Sequence, residues 1–199
     1  MESNYLHQSS DAIDYYKIEM YRTTMTNIPW FSLPNDYSLR FYRPDSNDSR
    51  EWASIAKAAG EFHTIEEGEN QFRKSYLTHP DNYLLSERVY FLTNAEGKAI
   101  GTATAWFTEI GGEKRGSLEW VSIVPEYQGK KLAKPMVSVV LRKIAENFNS
   151  CHLYSQTTSW RAINMYAQFG FLPLMTVENS DKAWKQLSDI CHRDFLALT

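Results

Sequence analysis

The chain has 199 residues, of which 43% are apolar and 23% are charged, and its formal net charge is −3. This size and composition are typical of a globular domain with a substantial core and exclude a disordered chain. The slight negative charge argues against nucleic acid as a partner, because phosphate binding usually requires a basic surface. No apolar run approaches the roughly 20 residues needed to cross a bilayer, so we expect no membrane segment.

Cysteine usage and the N-terminus indicate the cellular compartment. The two cysteines, Cys151 and Cys191, match no zinc-binding spacing. Residues 1–14 lack the basic start and apolar run of a secretory signal. We therefore expect a reduced, cytoplasmic protein. The five histidines show no metal-ligand spacing, so no metal site is predicted.

The first 36 residues are polar and aromatic, and Pro29 and Pro34 interrupt any regular element. We predict an irregular N-terminal arm over 1–36 that packs on a domain formed by 37–199. The side chains expected to anchor the arm are apolar or aromatic: Tyr21, Ile28, Trp30, Phe31 and Leu33.

One strand and two helices are predicted next. Alternation over 37–42 indicates a strand, which Pro44 closes. Residues 46–60 have an early Asn or Asp cap, an apolar stripe and a terminal glycine, which together predict a helix. A second helix is predicted over 65–77.

A β-rich region follows. Residues 89–93 and 98–108 are predicted strands, and the turn-forming residues 94–97 between them predict a hairpin. Residues 109–116 are expected to form a second glycine-rich turn. A third strand is predicted over 118–124.

Helices and strands alternate in the last third of the chain. Apolar residues at helical spacing predict a long amphipathic helix over 132–148. A strand at 152–156, a helix at 159–169, a strand at 171–177 and a helix at 181–198 complete the order. Because strand–helix–strand units require crossovers, we predict an α/β fold (an α+β mixed sheet) with helices flanking the sheet.

An anion site is predicted where the strand at 118–124 passes through a glycine-containing loop into the long helix. The first N–H groups of a helix lack internal partners and lie at the positive end of its dipole. Lys130, Lys131 and Lys134 at this helix start are unfavourable unless an anion is bound. The alternative is a solvated helix start whose lysines are incidental.

Two motifs carry a resemblance to a known family. The acetyl-CoA pyrophosphate loop of the GNAT acetyltransferase superfamily, Arg/Gln-x-x-Gly-x-Gly/Ala, resembles the run Ile123-x-Pro125-x-x-Gln128-Gly129-Lys130-Lys131-Leu132-Ala133. The stretch 159–171 is similar to the second signature of that family, with a tyrosine four residues after an alanine and a closing Gly-Phe. This sequence departs from the family at Lys131, where the loop has a glycine, and at Ser159, where the signature has an asparagine.

The resemblance implies a central mixed sheet flanked by helices, with acetyl-CoA as co-substrate and no metal. It implies that backbone groups of Ile123, on a splayed strand, line the pantetheine arm. The residues that it assigns to acetyl-CoA lie on the strand, the loop, the helix start and the second signature: Val121, Ile123, Val124, Gln128, Gly129, Lys130, Lys131, Leu132, Ala133, Lys134, Ser159 and Asn164.

Acetyl transfer to an amine requires a base for the amine and an acid for the leaving thiolate. The resemblance implies that Tyr166 is the acid; the alternative is a structural tyrosine. Glu119 is the candidate base, since alternation would place it on one face with Val121 and Ile123. A solvent-facing or cross-strand-paired role is equally open for Glu119, and Glu109 is the reserve base.

The resemblance therefore implies an N-acetyltransferase that moves an acetyl group from acetyl-CoA to a primary amine in a direct ternary complex. The acceptor, a small molecule or a protein, is not specified, and a homodimer is left open. An aromatic arm near the cleft would help to form the acceptor pocket. The main alternative, which Lys131 favours, is an inactive acyl-CoA-binding regulatory or interaction domain. An unrelated α/β binding module requires both motif matches to arise by chance.

Overall fold

The computed structural model describes residues 13–198. The strands found in that range are β1 (Lys17–Arg22), β2 (Ser38–Phe41), β3 (Val89–Thr93), β4 (Ala99–Ile110), β5 (Glu113–Ile123), β6 (Cys151–Gln156) and β7 (Leu172–Leu174). The α-helices are α1 (Asp48–Ala58), α2 (Ile65–Phe72), α3 (Leu85–Arg88), α4 (Ala133–Ala145), α5 (Trp160–Gln168) and α6 (Ser180–Cys191). The predicted mixed sheet flanked by helices is confirmed.

The sheet has the strand order β2-β3-β4-β5-β6-β1-β7. Strands β2 to β5 pair antiparallel in chain order, and β5 pairs with β6 in parallel. The described chain divides into two compact units, one formed by 21–153 and the other by 13–20 with 154–198. The division into an arm at 1–36 and a domain at 37–199 stays a prediction.

Strand β1 lies inside the segment predicted as an irregular arm, so that prediction was wrong for 17–22. Ile18 and Met20 are fully buried, and Glu19 and Arg22 are nearly so. Polar and apolar residues alternate over 17–20, but this pattern is only four residues long within a largely polar segment. The burial of the polar side chains Glu19 and Arg22 depends on packing that the sequence does not show.

The rest of the described arm packs on the protein partly through other side chains than those expected. Trp30 is 52% exposed, with the Arg142 guanidinium 4.2 Å from its ring centroid, whereas Met25 is buried. The arm contacts α4 through its backbone, because the Phe31 N–H donates to Ser138 Oγ at 3.2 Å. The Ser138 hydroxyl in turn lies 3.1 Å from the carbonyl oxygen of Pro29 and 2.9 Å from that of Lys134, and its one proton is shared between these two acceptors.

The two helices predicted at 46–60 and 65–77 are confirmed, with different details at their ends. Helix α1 begins after Asn47, whose side chain makes no capping hydrogen bond. Helix α2 begins with a capping box formed by Thr64 and Glu67. It continues without a break into a π-helical turn, Arg73–Leu77.

The hairpin of β4 and β5 is longer than predicted, and the turn expected over 109–116 is limited to two residues. Gly111 and Gly112 both have positive φ angles, +63° and +81°, which is the geometry of a tight two-residue hairpin turn. Opposite charges, Glu109 and Lys114, face each other across the strands just before this turn. The strand pairing therefore extends to the glycines.

A bulge interrupts the β4–β5 ladder near its other end. The register shifts between Thr102 and Thr104, and Trp120 on β5 has a φ of +50°. A bulge of this kind breaks the alternation of side chains along a strand. Trp120 consequently contacts Trp52 of α1 at 5.1 Å between ring centroids, and Glu119 contacts Tyr76 of the π-helical turn.

The core of the 21–153 unit under α1 and α2 is aromatic. Its rings touch at centroid distances of 5.0 to 6.1 Å. The participating side chains are Trp52, Phe62, Phe72, Tyr76, Trp106, Phe107 and Trp120.

Helix α4 approaches β5 at Gly116. A Cβ atom at Gly116 would lie 2.3 Å from Ile144 Cγ2 and 2.9 Å from the Ser150 carbonyl oxygen, so only glycine allows this approach. Helix α4 begins at Ala133 and ends at Ala145, three residues short of the predicted end.

In the other unit, α5 and the shortened β7 are confirmed near their predicted positions, and α6 ends early. His192 adopts a left-handed conformation with φ 49° and stops α6 at Cys191, not at 198. The fully buried Trp184 ring donates from Nε1 to the Leu174 carbonyl oxygen at 3.1 Å, which ties α6 to the end of β7.

Candidate active site

The loop between β5 and α4 has a defined conformation. A 3₁₀ turn, Pro125–Tyr127, follows the strand, and Gly129 then adopts a φ of +75°. The Gln128 side-chain amide donates to the Ile123 carbonyl oxygen at 2.8 Å. Gln128 thus holds the loop against the last residue of β5.

Lys131 also has a positive φ, +61°. This is the left-handed region that glycine adopts without cost and that other residues adopt at about 1–2 kcal/mol. The position at which the family pattern has glycine is therefore one where the backbone favours it. Lys131 does not adopt the right-handed helical conformation, in which a lysine would be tolerated without strain.

The loop presents a row of free donors. Within residues 13–198, no backbone N–H from 129 to 133 donates to a carbonyl or side chain of the protein. Such a row at the start of a 13-residue helix is suited to bind a phosphate or pyrophosphate. Pro135 in the first turn lacks an N–H, so the donors are confined to the loop and the first helical residues.

The three lysines take different positions around this row. Lys134 alone lies in the first turn of α4, with its Nζ 5.1 Å from the centroid of the Phe31 ring. Lys130 precedes the helix and places its Nζ 4.3 Å from the centroid of the Tyr127 ring. Lys131 is exposed. The prediction that all three cations lie in the first helical turn was wrong, although all three flank the free donors.

Strand β5 pairs in parallel with β6 within the 21–153 unit. Gly116 pairs with Cys151 and Ser117 with His152. Val121 and Ile123, which the resemblance assigns to the pantetheine arm, lie further along β5, toward the loop.

Glu119 is the most notable ionisable group of the 21–153 unit. Its Oε2 accepts a hydrogen bond of 2.8 Å from the fully buried Tyr76 hydroxyl. Burial raises the pKa of Glu119, and hydrogen bonds from Tyr76 and Ser117 partly counter that rise. A carboxylate with a raised pKa is suited to accept a proton near neutral pH.

The position of Glu119 differs from the one predicted by simple alternation. The positive φ of Trp120 interrupts the alternation that would have placed Glu119 on one face with Val121 and Ile123. Glu119 instead contacts Tyr76 of the π-helical turn that follows α2. Beside it, Trp120 is stacked on Phe62 with a centroid distance of 5.5 Å and is half-buried.

Glu109, the reserve base, lies at the opposite end of the hairpin. It is exposed and pairs in register with Lys114, two residues before the Gly111–Gly112 turn. The loop end of the same hairpin pairs Gly101 with Ile123, eight residues away along β4. At about 3.4 Å per residue this separation is roughly 27 Å.

The second-signature residues belong to the other unit. Tyr166 is buried on α5, and its ring contacts Phe171 edge-on at 6.1 Å between centroids. Asn164 is half-buried on the same helix. Ser159 makes no capping hydrogen bond and instead accepts from Gln156 Nε2 at 2.9 Å, so the capping role expected from its sequence position is not found.

Tyr76, which contacts the candidate base Glu119, was not predicted from the sequence. Nothing in the 65–77 stretch distinguishes it from a core tyrosine, since its partner Glu119 is 43 residues away in the chain. Within residues 13–198, no cluster of three or more His, Cys, Asp or Glu side chains is placed to hold a metal ion. No helix in that range is long and apolar enough to span a membrane.

Solved structures share this fold at low sequence identity. A GCN5-related N-acetyltransferase from Sphaerobacter thermophilus is 13% identical, with a TM-score of 0.55, and the match covers 88% of this chain and 48% of that one. A protein from Pyrococcus horikoshii OT3 is 14% identical, with a TM-score of 0.60, over 71% of this chain and 92% of that one. At these identities the likeness shows the fold alone.

Curated relatives have higher identity. Mycothiol acetyltransferases from Acidothermus cellulolyticus and Streptomyces griseus are each 26% identical, over 166 and 147 residues. The matches cover 77% and 70% of this chain but only 50% and 44% of those proteins, so the chain spans about half the length of the curated relatives it matches. A family model described as Acetyltransferase (GNAT) family matches residues 50–171, more than half of the chain, and the chain therefore belongs to the GNAT acetyltransferase family.

Proposed function

We propose that the chain is an N-acetyltransferase that moves an acetyl group from acetyl-CoA to a primary amine in a direct ternary complex. The observation that carries the proposal is Glu119, a half-buried carboxyl group that accepts a hydrogen bond of 2.8 Å from the Tyr76 hydroxyl and whose pKa is raised by burial. It lies on the strand that leads into a loop of free backbone donors. Membership of an acetyltransferase family supports the same reaction.

The loop is the proposed binding site for the pyrophosphate of acetyl-CoA. Free N–H groups from 129 to 133 supply the hydrogen bonds, and Lys130, Lys131 and Lys134 supply positive charge. Gln128 keeps the loop in place through Ile123. Backbone groups of Val121, Ile123 and Val124, at the loop end of β5, would hold the pantetheine arm. Leu132, Ala133, Ser159 and Asn164 remain part of the proposed binding set.

Glu119 is the proposed general base. An alkyl ammonium with a pKa near 10.4 is only about 0.1% neutral at pH 7, so the amine requires assistance. The Glu119 carboxylate takes one proton from the ammonium, and the neutral amine nitrogen then bonds to the acetyl carbon. Because Glu109 is exposed at the far end of the hairpin, Glu119 is the better candidate of the two.

Tyr166 is the proposed acid. When the carbon–sulfur bond breaks, the Tyr166 phenol gives its proton to the departing thiolate, which leaves free CoA and an N-acetylated product. The amine nitrogen attacks the thioester itself, so no acetyl-enzyme forms and the transfer is direct. As the tetrahedral intermediate collapses, the nitrogen loses its second proton to solvent and Tyr166 takes a proton back from solvent. The proton held by Glu119 is also released, so each ammonium yields one net proton per turnover.

The acceptor is proposed only at the level of a primary amine. The name of the two relatives concerns mycothiol, and at 26% identity over half their length we take from it acetyl transfer alone. The stacked pair of Phe62 and Trp120 beside Glu119 favours an amine with an apolar or aromatic body.

Two measurements test the proposal. Acetyl-CoA at about 100 times its Kd should add roughly 2.7 kcal/mol and raise the Tm by about 5–11 °C. Thiol release from acetyl-CoA should then be measured with tyramine, spermidine, glucosamine and a lysine-containing peptide. Glu119→Gln should lower turnover at least 100-fold at pH 7 and leave the thermal shift intact.

An inactive acyl-CoA-binding domain is the second candidate, and the positive φ of Lys131 is the observation that favours it. That candidate predicts a thermal shift with acetyl-CoA and no thiol release above the rate without protein for any amine. The absence of a shift with acetyl-CoA, CoA and longer acyl-CoAs would exclude both candidates.

A further inference from the structure

We propose that Tyr76 is a positioning residue that orients the Glu119 carboxylate and sets the pH at which it accepts a proton. The inference rests on the proposed function, because it assumes that Glu119 is the base. It adds a residue that lies outside both sequence motifs and on a different element, the π-helical turn that continues α2.

The contact between the two side chains is direct. The Tyr76 hydroxyl donates to Glu119 Oε2 at 2.8 Å, and the tyrosine is fully buried. Its ring is clamped edge-on by Phe72 at 5.2 Å and by Trp106 at 5.1 Å between centroids. A ring that is held on two sides fixes the direction of its hydroxyl, so it also fixes the carboxylate that it contacts.

The backbone of this turn supports a role beyond packing. Residues Arg73–Leu77 form a π-helical turn, which is rare and occurs frequently at functional sites. Adding one residue to a helical turn rotates the following side chains by about 100°. The turn therefore decides which side chain of this segment is directed at Glu119.

The charges around the pair keep Tyr76 as a donor. Burial and the nearby Glu119 carboxylate raise the pKa of Tyr76 well above its usual 10.0, and the hydroxyl of Thr104 on β4 acts in the opposite direction. The Cys151 thiol on β6 also lies near the Glu119 carboxylate. Burial raises the pKa of Cys151 to about 12. Ser117 on β5 also bonds to the carboxylate and carries no charge. Tyr76 and Cys151 are therefore both neutral between pH 5 and pH 9.

A fixed neutral donor on Oε2 favours the charged carboxylate over the acid, which limits the rise in the pKa of Glu119 that burial causes. Tyr76 thus acts through Glu119 and needs no contact with the substrate.

The test compares Tyr76→Phe with a matched control, Tyr42→Phe. Tyr42 is buried in the same aromatic cluster, with its ring 5.4 Å from Phe72, and its hydroxyl bonds to Ser49 at 3.0 Å. Each variant removes one buried hydroxyl and keeps the ring. Only Tyr76→Phe removes a donor from Glu119.

The first readout is the pKa of Glu119 itself, measured by ¹³C NMR titration of its side-chain carboxyl group in the intact protein. We expect Tyr76→Phe to raise this pKa by about one unit and Tyr42→Phe to leave it unchanged. The second readout is the pH profile of thiol release from acetyl-CoA with tyramine. Its acid limb should move to higher pH by the same amount in Tyr76→Phe, with kcat about tenfold lower and KM for acetyl-CoA unchanged.

An unchanged Glu119 pKa in Tyr76→Phe, or an equal shift in Tyr42→Phe, would overturn the inference. If the pKa moves and the acid limb does not, Tyr76 acts on Glu119 but Glu119 is not the base. Failure of the wild-type protein to release thiol with any acceptor refutes the proposed function instead, a result that the NMR titration does not depend on.

Discussion

The Gln128 side-chain amide donates a 2.8 Å hydrogen bond to the Ile123 carbonyl oxygen, five residues earlier in the chain. The bond joins the loop of free donors to the last residue of β5. In Gln128→Ala the loop loses this tie, and a typical hydrogen bond is worth about 1 kcal/mol. We expect the Kd for acetyl-CoA, measured by calorimetry, to rise about fivefold. The control is Gln71→Ala, which removes an amide on α2 that donates to Ser75 of the following π-helical turn at 2.8 Å. An equal loss of affinity in both variants would contradict the role of Gln128.

Lys131 combines strain with charge, and two substitutions separate these effects. Lys131→Ala removes the ammonium and keeps the Cβ atom, whereas Lys131→Gly removes both. Relief of about 1–2 kcal/mol in the left-handed region is partly offset by the extra entropy of glycine in the unfolded chain, about 0.5–1 kcal/mol. We expect urea unfolding to show Lys131→Gly more stable than Lys131→Ala by about 0.5–1 kcal/mol.

The same two variants also report on the charge of Lys131. Both should bind acetyl-CoA a few-fold more weakly at low ionic strength, and the difference from the wild type should shrink at high salt, which screens exposed charges. Tighter binding by both variants would mean that Lys131 obstructs the site, and it would favour the inactive-domain alternative.

Glu119 is expected to lower stability while it serves the reaction. Burial raises its pKa, so at intermediate pH the folded protein holds a proton that the unfolded chain has released. Its stability contribution is therefore lost as the pH rises from the unfolded pKa, about 4.3, through the folded pKa. In Glu119→Gln this loss disappears. We expect urea unfolding to show a gain in stability over the wild type that is larger at pH 8 than at pH 4, while turnover falls. Glu96→Gln in the exposed 94–97 turn is the control and should keep the pH dependence of the wild type.

Asp48 anchors the start of α1 to Arg40 on β2 and to Arg43, which lies just after β2. Its carboxylate is 1% exposed and accepts hydrogen bonds from the guanidinium groups of Arg40 and Arg43. Burial disfavours the charged form, but these hydrogen bonds outweigh it and hold the pKa well below its usual range. The resulting stabilisation is present above the unfolded pKa, near 3.9, and is lost as the pH falls toward the folded pKa.

In Asp48→Asn we expect urea unfolding at pH 7 to show a loss of about 3 kcal/mol, because the substitution leaves a largely buried Arg40 without this partner. The matched control, Glu69→Gln, breaks an exposed pair with Arg50 at 3.2 Å and should cost less than about 1 kcal/mol. Similar losses of unfolding free energy in the two variants would show that burial does not strengthen the pairing of Asp48 with its arginines.

Local sequence patterns determined much of this protein. The mixed sheet and most element positions follow from periodicity and from turn residues, which act within a few positions of each other. The loop from Gln128 to Ala133 was recognisable for the same reason, since a phosphate site at a helix start is built from consecutive backbone groups. Family membership followed from two short motifs that the GNAT family match confirms.

Tertiary structure decided what local patterns do not encode. Strand β1 buries the polar side chains of Glu19 and Arg22, and the environment of Glu119 depends on a bulge at Trp120 and on Tyr76, 43 residues away. Likewise, the left-handed backbone of Lys131 became visible only in the folded loop. The physical reason is that burial, hydrogen bonding between distant side chains and backbone strain depend on packing, whereas periodicity and motif spacing are properties of the chain alone.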